Sequence, residues 1–92
     1  MRWLIEASRG GATRARILLL IREEPLNVNQ LARKLGLNYR SVLHHINVLL
    51  RNGLIVRVGE GYGSPFILSR EAEEHWDIVY ESICRILGGE EC

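Results

Sequence analysis

Residues 29–55 read NQLARKLGLNYRSVLHHINVLLRNGLI, and this stretch decides the fold. Asn29 is an N-cap type of residue, since its short side chain can accept a bond from a free helical N–H. It predicts a helix over 30–35, with Leu31, Ala32 and Leu35 on one face. Gly36 ends that helix, because the position after a helix often needs the left-handed backbone that glycine tolerates best. Leu37 is expected to pack into the turn. Asn38 caps a further helix over 39–51, whose apolar stripe is Val42, Ile46, Leu49 and Leu50. Asn52-Gly53 closes it. Two short helices joined through a glycine turn form the helix-turn-helix pattern.

The flanks extend the pattern. Upstream, Trp3-Leu4-Ile5 belongs to a short apolar segment that Gly10-Gly11 breaks off. Thr13 is read as the cap of a helix over 14–23, with Ile17, Leu18, Leu20 and Ile21 inward and Pro25 as its stop. Leu26-Asn27-Val28 alternates like one short strand. Downstream, residues 54–58 are rich in β-branched side chains, 59–63 are glycine-dense and 65–68 can return, which makes a hairpin. Ser69 caps a last helix over 70–87, with Glu71, Glu73 and Glu74 near its positive end and Gly88-Gly89 after it. The order predicts an α+β winged helix-turn-helix. It comprises a three-helix core, a small sheet with a wing hairpin, and a long C-terminal dimerisation helix. Residues 1–92 form one domain, with a DNA-binding core over 10–69 and the dimerisation helix over 70–88.

Charge is divided along the chain. Residues 1–57 hold ten basic and three acidic side chains, whereas 58–92 hold two basic and eight acidic. One surface is thus suited to a polyanion and another repels it. All the basic residues but Lys34 are arginine, which favours bidentate contacts to phosphate or guanine. The longest apolar run, residues 17–21, is far short of the roughly 20 residues of a membrane span. Glu6 comes too early for a signal peptide, so a cytoplasmic protein without membrane contact is expected.

Several segments resemble ArsR-like winged-helix transcription regulators. They are Asn29-Gln30-Leu31-Ala32, Leu35-Gly36-Leu37, Ser41-Val42-Leu43-His44-His45-Ile46 and Val48-Leu49-Leu50-Arg51-Asn52-Gly53-Leu54-Ile55. The run Gly10-Gly11-Ala12-Thr13-Arg14-Ala15-Arg16-Ile17-Leu18 and Tyr39 are most similar to the archaeal branch. The resemblance covers residues 10–69 and implies regulation of transcription on double-stranded DNA. In this family a His at the second position of the pair is a scaffold residue. Metal-sensing members carry a cysteine motif in the first helix of the motif; residues 30–35 contain no cysteine, so metal sensing is not implied.

A recognition helix enters the major groove with its N-terminal half. With Val42, Ile46 and Leu49 inward, the reading face is Asn38, Tyr39, Arg40, Ser41, Leu43, His44 and Asn47. Arg40 can reach guanine or phosphate, His44 and Asn47 can bond base edges, and Leu43 can touch a thymine methyl. Asn29 and Gln30 lie where a helix N-terminus meets phosphate, and Arg14, Arg16, Arg33 and Lys34 are candidates for backbone contact. Arg57, Tyr62 and Ser64 represent the wing. Adjacent helical residues point about 100° apart, so His44 and His45 make a poor chelate; His44 is expected outward and His45 half-buried. Cys84 is expected as buried packing and Cys92 as exposed, without a disulfide framework or zinc pattern. No metal, cofactor or catalytic residue set is expected, and no enzyme activity.

Ala72, Trp76, Val79, Ile83 and Ile86 recur at spacings of 4, 3, 4 and 3, an a/d seam that Tyr80 and Leu87 widen. A small domain has little core to cover so broad a face, so a homodimer through this helix is expected, with Trp3-Leu4-Ile5 joining in. The alternative is a winged-helix protein–protein module of a larger assembly. The polar face of residues 39–47 argues against it, since such a module more often shows an apolar patch.

Overall fold

A computed structural model describes residues 10–88. The expectations for Trp3-Leu4-Ile5 and Cys92 lie outside the described residues. The elements are α1 (Gly11–Glu23), α2 (Val28–Leu35), α3 (Tyr39–Arg51), β1 (Ile55–Arg57), β2 (Phe66–Leu68), α4 (Arg70–Glu74) and α5 (Trp76–Leu87). The strands pair antiparallel, with Ile55 opposite Leu68 and Arg57 opposite Phe66. Leu26 adds one isolated bridge to Phe66. This is the winged helix-turn-helix arrangement of helices plus a two-stranded hairpin. No helix among the described residues is long and apolar enough to cross a membrane.

The core sits where the helices meet the hairpin. Ile17 and Leu18 of α1, Leu31 of α2, and Val42, Ile46 and Leu49 of α3 are all fully buried. Ile55, Phe66 and Leu68 close it from the sheet, and Val79 and Ile83 from α5. Each buried aliphatic side chain contributes about 1.5–3 kcal/mol relative to exposure. The stripe of α3 therefore both holds the helix down and fixes which of its residues face out.

Local capping chemistry moves several boundaries. α2 starts at Val28, because Asn27 rather than Asn29 is its cap. The Asn27 side chain accepts the Gln30 N–H at 2.8 Å, and the Gln30 side chain accepts the Asn27 N–H at 2.9 Å. This reciprocal box satisfies two free donors and takes residues 27 and 28 out of the expected strand. Gly36 ends α2 at φ 68 as expected, with its N–H returned to Ala32 and Arg33. Leu37, expected inside the turn, is 39% exposed; only its N–H closes the turn, onto the Ala32 carbonyl at 3.0 Å. Asn38 caps α3 by accepting the Ser41 N–H at 2.8 Å.

α1 begins at Gly11, two residues before Thr13. Its cap is Gly10, left-handed at φ 84, whose carbonyl accepts the Arg14 N–H at 3.1 Å. A Cβ on Gly10 would stand 2.6 Å from the His45 ring. A side chain is therefore excluded by space as well as by φ.

The C-terminal helix is not continuous. His75 leaves helical geometry (φ −113, ψ 30) and separates α4 from α5. Ser69 pins the start of α4 to the hairpin: its N–H donates to Leu54 and its hydroxyl to the Gly53 carbonyl at 2.6 Å. α5 must lie along α1, and the turn at His75 serves both demands. That packing also corrects the expected dimer seam. Ala72, Val79 and Ile83 are buried in the chain's own core, at 2%, 0% and 1% exposure, and offer no surface to a partner. Ile86 and Leu87 are half-buried against the same core. Trp76 and Tyr80 lie at the edge, ring centroids 6.0 Å apart, with the Arg22 guanidinium 4.4 Å from the Trp76 ring centroid.

Candidate nucleic-acid interface

The first turns of α3, the N-terminus of α2 and the tip of the wing meet at one cleft of about 210 Å³. Asn27, Asn29, Tyr39, Leu43, Arg57, Tyr62 and Ser64 all line it. Residues expected at three separate places are thus brought together. An open groove beside it, lined by Asn29, Gln30, Arg33 and Tyr39, runs between α2 and α3.

On α3, Arg40, His44 and Asn47 are exposed and lie on the side opposite Val42, Ile46 and Leu49. Leu43 and Tyr39 are half-buried and pack partly on the core. Two of the expected contacts have their acceptor oxygens engaged within the protein. The Asn38 side-chain oxygen caps α3, and the Gln30 side-chain oxygen completes the box at α2. Asn29, Arg16, Arg33 and Lys34 are exposed. In the wing, the Arg57 guanidinium lies 5.4 Å from the Phe66 ring centroid, and the Ser64 hydroxyl donates to the Gly61 carbonyl at 2.9 Å. Tyr62 is 89% exposed and stacks on Tyr39, with ring centroids 6.4 Å apart and 15° between planes.

Arg14 does not belong to this surface. It is 3% exposed, and its guanidinium donates to Nδ1 of His45 at 2.9 Å. Gly10, with no side chain, is what admits this packing of α1 on α3. A guanidinium has only donors, so Nδ1 of His45 must be unprotonated and the imidazole neutral. Burial, then the charge of Arg14, then that of His44, hold the His45 pKa below its ordinary 6.5. Burial likewise lowers the Arg14 pKa from its ordinary value. The second His is thus half-buried scaffold, and the first is exposed, as the helical spacing implied.

This pair predicts a pH dependence. An imidazole whose pKa is depressed by folding takes up a proton more readily when unfolded, so stability rises with pH in that window. Its contribution is fully present above about pH 6.5, the unfolded value, and is lost as pH falls from there through the lower value of the folded state. Chemical denaturation from about pH 8 down to about pH 5 should show a falling midpoint, and His45→Gln should flatten the fall. A wild-type midpoint independent of pH contradicts this.

Sequence reasoning missed Asn27 as a cap, the Arg14–His45 pair and the Tyr39–Tyr62 stack. The first had a signal, Gln30 three residues after Asn27. The other two join residues 31 and 23 positions apart in sequence, which no local pattern reveals. Cys84, expected as buried packing, is half-buried on α5. No group of three or more His, Cys, Asp or Glu among the described residues is placed to hold a metal ion.

Solved structures of similar shape carry the same arrangement. Reduced HlyU from Vibrio cholerae N16961 is 25% identical, with a TM-score of 0.62 over 77% of this chain and 76% of its own. A transcriptional regulator HlyU from Vibrio vulnificus CMCP6 is also 25% identical, with a TM-score of 0.62 over 78% of this chain and 76% of its own. ZitR from Lactococcus lactis, in complex with DNA, is 17% identical and shares the fold, with a TM-score of 0.66 over 90% of this chain and 59% of its own. No curated protein sequence matches. The family model described as a helix-turn-helix domain matches residues 12–58, the span from α1 through the first strand of the wing. The chain belongs to the helix-turn-helix domain family.

Proposed function

We propose that this protein is a transcription regulator that binds double-stranded DNA sequence-specifically as a homodimer, in the manner of ArsR-like regulators of archaeal type. The observation that carries the reading is the exposed face of α3. Arg40, His44 and Asn47 project from a helix whose opposite side is locked into the core. Similarity to a HlyU described as a transcriptional regulator, and to ZitR solved on DNA, supports the same conclusion. Tyr39, Ser41 and Leu43 complete the reading face. Asn29, Arg16, Arg33 and Lys34 engage phosphates, and Arg57, Tyr62 and Ser64 flank the backbone. Arg14 is omitted, being buried. Binding acts by occupancy: the bound dimer blocks or recruits the transcription machinery, in the cytoplasm and without catalysis or a cofactor.

Affinity for a duplex should fall steeply with salt, since each neutralised phosphate contributes about 0.9 to the slope of log affinity against log salt. A slope corresponding to several phosphates is expected; a flat titration contradicts the reading.

The dimer forms through what α5 leaves outside. Trp76 and Tyr80, with Leu19 and Arg22 of α1, line an open hollow at the edge of the domain. Ile86 and Leu87 are only half-buried at the far end. A symmetric pair through this edge places two recognition helices about 34 Å apart, one turn of DNA. Sedimentation equilibrium at micromolar concentration should give twice the 10.5 kDa of one chain; a monomer contradicts the dimer.

A further inference from the structure

Within the tip of the wing, the Ser64 hydroxyl closes one turn onto the Gly61 carbonyl, and three glycines leave the rest of the loop loose. Gly59, Gly61 and Gly63 all take positive φ, and a Cβ built on any of them meets nothing within 4 Å. Such a loop has wide conformational freedom. Its base is closed by the Val58 N–H, which donates to the Pro65 carbonyl at 2.8 Å. Above that base, two contacts tie the tip to the helix pair. The Asn27 side-chain amide donates to the Gly63 carbonyl at 3.3 Å, from the same residue whose oxygen caps α2. Tyr62 stacks on Tyr39, the first residue of α3.

We infer that the Tyr39–Tyr62 stack is a clasp that pre-positions the wing against the N-termini of α2 and α3, so that Tyr62 serves as a positioning residue acting through Tyr39. The clasp deepens the DNA-binding reading and, for its effect on affinity, rests on it. A glycine-rich tip that must be ordered on binding costs conformational entropy, and a tip already ordered avoids most of that cost. The neighbouring Tyr62 phenol also holds the Tyr39 pKa above its ordinary value, which gives the clasp a spectroscopic signature. Tyr62 is so exposed that its removal leaves the core untouched. An offset aromatic pair of this kind has a strength equivalent to a few-fold in an equilibrium.

The test uses the full chain with Tyr62→Ala, Tyr62→Phe, Tyr39→Ala and the double alanine variant. Backbone order parameters of residues 59–63 are expected near the rigid value of about 0.85 in the wild type and below about 0.6 in both single alanine variants. Tyr62→Phe keeps the ring and should stay near wild type. The double variant should loosen the tip no further than either single one. Alkaline absorbance titration should show the Tyr39 pKa lowered in Tyr62→Ala, with the thermal midpoint unchanged. Affinity for a random-sequence duplex should drop a few-fold in Tyr62→Ala and recover in Tyr62→Phe. Order parameters unmoved by Tyr62→Ala or Tyr39→Ala overturn the clasp. If the wild type binds no duplex while the order parameters behave as expected, the clasp stands and the DNA-binding reading fails.

Discussion

Ile46→Ala is expected to lower the unfolding free energy by about 2–5 kcal/mol, measured by chemical denaturation. Ile46 is fully buried, between Val42 and Leu49 on the stripe that seats α3. Truncation removes the transfer energy of three carbons and leaves a cavity, because α3 is held by caps at residue 38 and by the turn at 52–53 and cannot collapse freely. A domain of this length has about 5–14 kcal/mol in total, so the loss is a large fraction of the whole. His44→Ala, two residues before it on the same helix, removes an exposed side chain and should stay within about 0.5 kcal/mol. The contrast between the two is the signature of a helix with one scaffold side and one working side. Equal losses at the two positions contradict it.

Arg40→Ala is expected to weaken binding to the preferred duplex by about 1–3 kcal/mol, up to about a hundredfold, and to relax discrimination at one base position. Arg40 is exposed in the first turn of α3, the part of a recognition helix that enters the groove. Arg33→Ala provides the comparison. It lies in the last turn of α2 and should weaken binding to all duplexes alike, with a salt slope lower by about one phosphate. Quantitative binding to matched and mismatched duplexes separates the two. If Arg33→Ala alters sequence preference as much as Arg40→Ala does, the division between reading and positioning residues is wrong.

The parts of this fold that were legible in the sequence are those set by local periodicity. The stripe of α3 and its Asn38 cap are read directly from spacing, as is the left-handed stop at Gly36. The start of α2 is ambiguous from local sequence because Asn27 and Asn29 are both good caps. The glutamine three residues on, at position 30, selects the first of them. Periodicity along residues 72–86 correctly marks a face to be buried, yet it does not say by what. Much of that face is covered by the chain's own α1, which is why Val79 and Ile83, like Ala72, are buried in the core and fall outside the expected dimer seam. Nothing near Arg14 in sequence distinguishes it from a surface charge. Its burial depends on Gly10 approaching His45, a contact between distant segments. The stack of Tyr39 and Tyr62 was hidden for the same reason: only the folded wing returns position 62 to the start of α3.

Selection of bound duplexes from a random pool, at low salt and with the intact chain, tests the central claim most directly. The expected result is enrichment of a near-palindromic motif whose half-sites are centred about 10 base pairs apart. A pool that remains random after repeated rounds, from protein shown to be folded, contradicts it.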